Sequence, residues 1–450
     1  MTWLSCGGSA SGAHTSGLKY RAFVTNSVSS NTGGAGIDIV DASQDVRPII
    51  QPISAGNTPG MMVLTPDRTE TLVFSGNGTP SSDNLFSIIN NASEANAFHL
   101  TLPGMTESFV VSPDSSVVYV AVPTAPVVGQ SPGVIQAINL VSGNITATIS
   151  CPPLNPNPPN PPLPPVCVTQ GLGDEGFNMA YRFLSISNTG DRLLAFGDDS
   201  DTIAVITPSN VGTTNPVVTF VPGFDRPVSA FFSSDDATVY VVNCGAECGG
   251  GQASVQQFNL TDDTLGSYVA VCAPGTAQCA GSVALVDGAT MYLAGTPYSA
   301  GGPSQLCAAG TTQATFCGLL TTVDLSSMTV TNTAPILITD GYHDRIALGA
   351  NGQLFIGART CTEITGTETR GCLSIYNSQT GAVVIPPASG DVTGIQPISK
   401  RTVVYVVQGG TLDIYDATTD VLYNNPKDPN NPGQIMNLIG QFVDVKTVDF

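Results

Sequence analysis

The stretch Ser108–Val122, SFVVSPDSSVVYVAV, decides the fold. It reads as two short apolar strands joined by a tight turn at Ser112-Pro113-Asp114-Ser115. Proline at the second turn position presets φ, and Asp and Ser side chains bond their own backbone. Val, Phe and Tyr suit a pleated, packed surface. Degraded copies of this unit recur along the chain, with turns at Pro66-Asp67, Pro113-Asp114, Thr189-Gly190, Asp235-Asp236, Asp287-Gly288, Asn351-Gly352 and Lys400-Arg401. Most spacings are close to the roughly 40–50 residues of a four-stranded repeat in a ring of blades.

With the four strands of a repeat called a to d, the first unit lacks an a strand. It opens on Tyr20–Asn26 as b, followed by Gly36–Asp41 as c and Pro48–Ile53 as d. The chain ends with an alternating strand, Phe442–Phe450, which is what the first unit lacks. A C-terminal a strand completing an N-terminal b-c-d blade closes a ring without a covalent link and removes the open sheet edges. The expected fold is therefore all-β: a single closed β-propeller of four-stranded antiparallel blades over residues 20–450, preceded by a tether over residues 1–19. The repeat count is eight, with seven as the alternative if one weak unit is a loop excursion.

Composition agrees. Of 450 residues only 11% are charged, while Gly (48) and Pro (33) are abundant, as expected for many short strands and turns. A net charge of −20, with Lys+Arg only 14, repels phosphate backbones and anionic lipid surfaces, which excludes nucleic acid as a natural partner class. No segment approaches the ~18 continuous apolar residues of a membrane span.

Ten of the eleven cysteines fall into near-neighbour pairs: Cys151/Cys167, Cys244/Cys248, Cys272/Cys279, Cys307/Cys317 and Cys361/Cys372. Local pairing points to disulfides and to an extracytoplasmic compartment, periplasmic or cell-surface. Zinc binding is the rival reading, but no CxxC occurs and there are only three histidines. The eleventh, Cys6, sits in Trp3-Leu4-Ser5-Cys6-Gly7-Gly8 before a small polar run. This resembles the cleavage end of a bacterial lipoprotein signal, with Cys6 lipidated and a lipid as the one link to a membrane. Trp3 stands where Leu is usual, and a basic n-region and apolar h-region are absent; an ordinary free cysteine is the alternative.

The repeat resembles the YVTN-type, lactonase-like β-propeller family. The residues that carry the likeness are Tyr119-Val120-Ala121-Val122 and Tyr240-Val241-Val242-Asn243 in b strands, Phe23-Val24-Thr25-Asn26 as a variant, Ser112-Pro113-Asp114 in the turn, and Ile37-Asp38-Ile39-Val40-Asp41 and Leu412-Asp413-Ile414-Tyr415-Asp416 in c strands. The resemblance covers the chain from Tyr20 and implies the propeller. It permits a lactonase-like hydrolase but does not require one, since propellers host unrelated functions.

Strand alternation assigns a–b and c–d turns to one face and b–c and d–a loops to the other. All five cysteine pairs and the Pro-rich insertion Pro152–Pro165 fall in the second set. The d–a loops lead to the mouth of the central channel, and several carry charge just before strand a: Glu107, Arg182, Asp225-Arg226 and Asp344-Arg345. In a chain this poor in charge, such recurrence points to a polar ligand site, with Arg182, Arg226 and Arg345 gripping an anionic or carbonyl oxygen. Inter-blade salt bridges are the competing explanation. His343 with Asp344 is the general acid/base pair if the protein is an enzyme. Asp198, Asp199 and Asp201 have oxygen ligands at calcium-like spacing, without the remaining ligands or glycine of an EF-hand. No cofactor is otherwise implied. The leading expectation is a monomeric, non-enzymatic binding or scaffold module that engages a protein, a glycan or a small ligand.

Overall fold

A computed structural model describes residues 15–28, 35–79, 81–126, 132–150, 168–169, 179–208, 218–299, 302–303, 318–362, 371–426 and 430–449. Cys6, Cys151, Cys167, Cys307, Cys317 and the segment Pro152–Pro165 lie outside the described residues.

The b strands are mainly apolar because both of their faces are buried. In Val117–Val122, the side chains of Val118, Val120 and Val122 join the core shared with the preceding blade. Tyr119 and Ala121 point the opposite way, into the core shared with the following blade. The period-2 alternation of a strand produces this split. Repeated round the chain, it generates eight main apolar clusters, each made by two consecutive blades. The last cluster joins Val403, Tyr405 and Val407 of the final blade to Ala22, Val24 and Val445 of the first, so the ring closes at eight. Seven blades are excluded.

Within each blade the strands run antiparallel in chain order from the axis outward, as in Pro59–Leu64, Glu70–Ser75, Leu85–Asn90 and Ala95–Thr101. Outer strands such as Thr264–Ala270 are exposed along most of their length. The first blade is built as expected: Gln441–Thr447 pairs with Arg21–Val28, which pairs with Gly36–Asp41. Its fourth strand is reduced to a bridge between Ile37 and Ile53. The outer edge of the sixth blade is split, with Thr329–Val330 and Ile336–Ile338 both pairing with Gly318–Asp324. In the fourth blade, Val168–Thr169 adds a short parallel strand.

The a–b turns form as their composition dictates. Ser112 Oγ and Ser116 N both donate to Asp114, and Ser233 Oγ and Ala237 N donate to Asp235. Those hydrogen bonds hold both carboxyls below the usual carboxylate range. The c–d turns use a second device, an Asn or Asp at the end of strand c whose side chain accepts from backbone two or three residues on. Asp41, Asn90, Asn139, Asn259, Asp324, Asn377 and Asp416 all do so. At the chain's start, Ser16 hydrogen-bonds Glu94 and Leu18 packs on the core between the first two blades, so the propeller takes up the chain from Ser16.

Candidate functional site in the central channel

A register shift recurs in six innermost strands, two residues opposing one or three opposing two on strand b. The residues it sets apart are Gly60-Met61, Arg182, Val228, Asp344, Thr393 and Val443-Asp444. Bulges re-aim side chains, and every one of these residues lines a single cavity of about 460 Å³ to which all eight blades contribute. Close approach of strands near the axis is part of the construction: a Cβ on Gly394 would lie 2.9 Å from Asp444 Oδ1.

The cavity has an apolar wall that includes Met61, Phe74, Met105, Phe183 and Phe231, and two charged clusters. On blades three and four, Arg182 donates from Nε to Glu107 Oε2 (2.7 Å) and from Nη1 to Asp198 Oδ1 (3.0 Å). On blade seven, Asp344 Oδ2 accepts from Arg359 Nη2 (2.6 Å) and lies 3.3 Å from Arg345 Nη1. Arg345 Nε donates to Thr393 O at 2.8 Å. Burial raises the Asp344 carboxyl above its ordinary value, against the pull of Arg345 and Arg359. Arg359 leaves its strand directly before the Cys361–Cys372 disulfide, and Thr360 N donates to Asp391 Oδ1, which ties the loop that carries it.

Beside this cavity lies a second, of about 360 Å³, which shares Arg182, Phe183, Val228 and Tyr342 with it and adds Arg226, Asp198, Asp199 and Glu247. Glu247 sits in a single 3-10 turn spanned by the Cys244–Cys248 disulfide. Its carboxyl accepts from Thr296 N (3.0 Å) and lies 3.0 Å from Ser282 Oγ; burial pushes it up to about 8. The glycine run after that turn packs over blade five: a Cβ on Gly250 would meet Asp225 Oδ1 at 1.9 Å.

The expected site residues separate accordingly. Glu107, Arg182, Asp344 and Arg345 are brought together around the central cavity, and Arg226 around its neighbour. Asp225 is bound inward, accepting from Gly251 N and Gln252 N. His343 is 1% exposed, with Nε2 3.0 Å from Thr339 O, and is not among the residues lining either cavity. Burial lowers its imidazole to about 4, so it is neutral at ordinary pH. The side chains of Asp198 and Asp201 face arginine: Asp198 pairs with Arg182, and Asp201 Oδ1 accepts from Arg226 N and lies 3.8 Å from its Nε. Among the described residues no three His, Cys, Asp or Glu side chains converge on a common point.

Three functional candidates escaped the sequence reading. Asp444 occupies the same bulge position in the closing strand that Asp344 occupies in blade seven, so laying the strands in register finds it. Arg359 ends a b strand and Glu247 lies inside a disulfide loop; neither repeats from blade to blade, and no periodic signal marks them.

Three of the five expected disulfides lie within the described residues, and all three are formed: Cys244–Cys248, Cys272–Cys279 and Cys361–Cys372. They fall in b–c and d–a loops, and bridges of this kind belong to an oxidising environment. Among the described residues no helix is long and apolar enough to cross a membrane.

No protein-family model matches the sequence, and no curated protein matches it. Among solved structures, the chain is similar to the dihydro-heme d1 dehydrogenase NirN in complex with DHE, at 11% identity and a TM-score of 0.61, over 96% of this chain and 75% of that one. Hydrazine synthase of Kuenenia stuttgartiensis is matched at 13% identity and a TM-score of 0.45, over 71% and 78% of the two chains. The Cps50 (Swd1) β-propeller domain of Myceliophteria thermophila is matched at 8% and 0.49, over 81% and 98%. The first likeness shows the class to which the fold belongs, the eight-bladed β-propeller.

Proposed function

We propose that this protein is an exported binding module that holds a small molecule in the mouth of its central channel, on the face of the disulfide-bearing loops. The observation that carries the reading is the axial cavity of about 460 Å³, with apolar lining between two charged clusters, to which every blade delivers a residue. Concave sites with an apolar lining and a few convergent polar groups are where small ligands bind. The three described disulfides support an extracytoplasmic location, with Cys6 as the residue for a lipid anchor. The YVTN-type repeat residues support kinship with lactonase-like propellers.

The test is a ligand-observed magnetic-resonance screen of metabolite mixtures against the wild type and Ser229→Trp, which fills the cavity. Binding that the tryptophan abolishes supports the reading. Absence of any binding, or binding indifferent to the tryptophan, refutes it. A parallel pH-stat assay on lactones addresses hydrolysis. Asp344, which lines the cavity with a raised carboxyl, is the residue there from which proton transfer would be expected. Turnover lost in Asp344→Asn would place an enzyme ahead of a binding module.

A further inference from the structure

The two charged clusters of the central cavity are each unbalanced, and in opposite senses. On blades three and four, one guanidinium (Arg182) stands between two carboxylates (Glu107 and Asp198), a formal excess of one negative charge. On blade seven, one carboxylate (Asp344) stands between two guanidinium groups (Arg345 and Arg359), a formal excess of one positive charge. In a ring of eight, blade seven lies across the axis from blades three and four. The remaining carboxylate on the wall, Asp444, is balanced by Lys446 at 3.2 Å and occupied by Met62 N and Val445 N. The cavity is thus neutral as a whole and polar across its width.

Unused hydrogen-bonding capacity is grouped at the same place. Arg359 Nε, Asp344 Oδ1, Thr393 Oγ1 and Ser229 Oγ are shielded from solvent with no partner among the described residues, and all four side chains line this cavity. A buried polar group without a partner is costly, and the two hydroxyls can turn about χ1 to meet a new partner. The Glu107 and Arg359 side chains, 38% and 42% exposed, leave a charged group accessible on each side.

We propose that the ligand of this cavity is a small zwitterion, such as a free amino acid or a short peptide, oriented by the two clusters. Its carboxylate faces Arg345 and Arg359, whose planar guanidinium groups suit a carboxylate. Its ammonium faces Glu107. Its apolar part lies against Met61, Phe74 and Phe231. A simple anion would meet the acidic cluster uncompensated, and a simple cation the basic one, so the site discriminates against both. The inference rests on the cavity being a small-molecule site.

The experiment is calorimetric titration of the full chain with free L-amino acids and glycyl-L-leucine. For each binder, the N-acetylated acid and the amide are titrated as singly charged analogues, and glucose serves as a neutral control. A zwitterion should bind roughly tenfold or more tightly than either analogue. Glu107→Gln should weaken the zwitterion roughly tenfold while leaving the N-acetylated acid unchanged. Arg359→Gln should weaken it while leaving the amide unchanged. A folding defect would weaken all three compounds together, so the crossed pattern is diagnostic. Equal binding of zwitterion and analogues, or binding of glucose or of singly charged molecules alone, would overturn the inference while leaving the cavity a small-molecule site. If nothing binds in the cavity at all, that broader reading falls as well.

Discussion

Arg21 and Asp449 are separated by 428 positions and form a two-point ion pair: Nε to Oδ2 and Nη2 to Oδ1, both at 2.6 Å. Arg21 opens strand b of the first blade and Asp449 lies two residues past the strand that supplies its a, so the pair sits on the seam that closes the ring. Arg401 makes a similar double contact with Asp45, across the junction of the last blade and the first.

Removing one partner of the seam should loosen it. Asp449→Ala leaves the guanidinium of Arg21, 11% exposed, with Glu94 and the Asn91 carbonyl, and should cost about 2 kcal/mol of unfolding free energy. Deleting residues 442–450 removes a whole innermost strand and bares the edge of Arg21–Val28, so aggregation and early proteolysis at the first blade are expected. Denaturant titration and limited proteolysis check both. A truncated chain as stable as the parent would show that closure contributes nothing.

Two buried groups should shape the dependence of stability on pH, in opposite directions. The folded Glu247 carboxyl holds its proton to about 8 against an ordinary 4.5, so the folded state binds more protons and stability falls as pH rises between those values. The folded His343 imidazole takes up a proton only at about 4 against an ordinary 6.5, so stability falls as pH drops through that window. Glu247→Gln should therefore raise the melting temperature at pH 8.5 and leave it nearly unchanged at pH 4.5. Parallel melting curves for variant and parent across this range would contradict the assignment.

The disulfides should be separable by their loops. Peptide mapping without reductant should recover Cys244–Cys248, Cys272–Cys279 and Cys361–Cys372 as linked pairs. Replacing Cys361 and Cys372 together by serine opens a loop of sequence separation 11, which the chain-entropy account values at about 3 kcal/mol. Because that loop follows Arg359, the variant should also weaken ligand binding in the central cavity more than loss of Cys272–Cys279 does.

Blade-to-blade packing should carry much of the stability. Phe86 and Phe109 meet edge to face across the second and third blades, with ring centroids 5.2 Å apart, and both are buried. Phe109→Ala should cost about 3–5 kcal/mol and Phe109→Leu appreciably less. Urea unfolding of the two variants tests this, and equal small losses would show the interface to be plastic.

The fold was legible because its signals are local and repeated. Each b strand has an apolar run, each a–b turn carries Ser, Thr, Pro, Asp or Gly, and the unmatched C-terminal strand answers the unmatched N-terminal blade. The site was legible only in part. Charges at the start of strand a were visible as a recurring position, although Arg182 and Arg345 fall inside that strand, and Glu107, Arg182 and Arg345 do line the channel. His343 and Asp344 are adjacent in sequence and part company in space, because the register shift turns Asp344 to the cavity while His343 is buried against Thr339.

Local chemistry thus determined what can be read from neighbours along the chain: strand, turn, repeat, ring closure and the pairing of near cysteines. What only the tertiary structure decided is which side chains share the axis. Glu107 and Arg182 come from different blades, and Asp344, Arg345 and Arg359 from two strands of another, so no spacing in the sequence relates the two clusters. Their opposition across the channel follows from the number of blades and from one residue of bulge per strand. Both are properties of how sheets pack round a ring, since a single shifted register moves a side chain from a buried interface to the cavity wall.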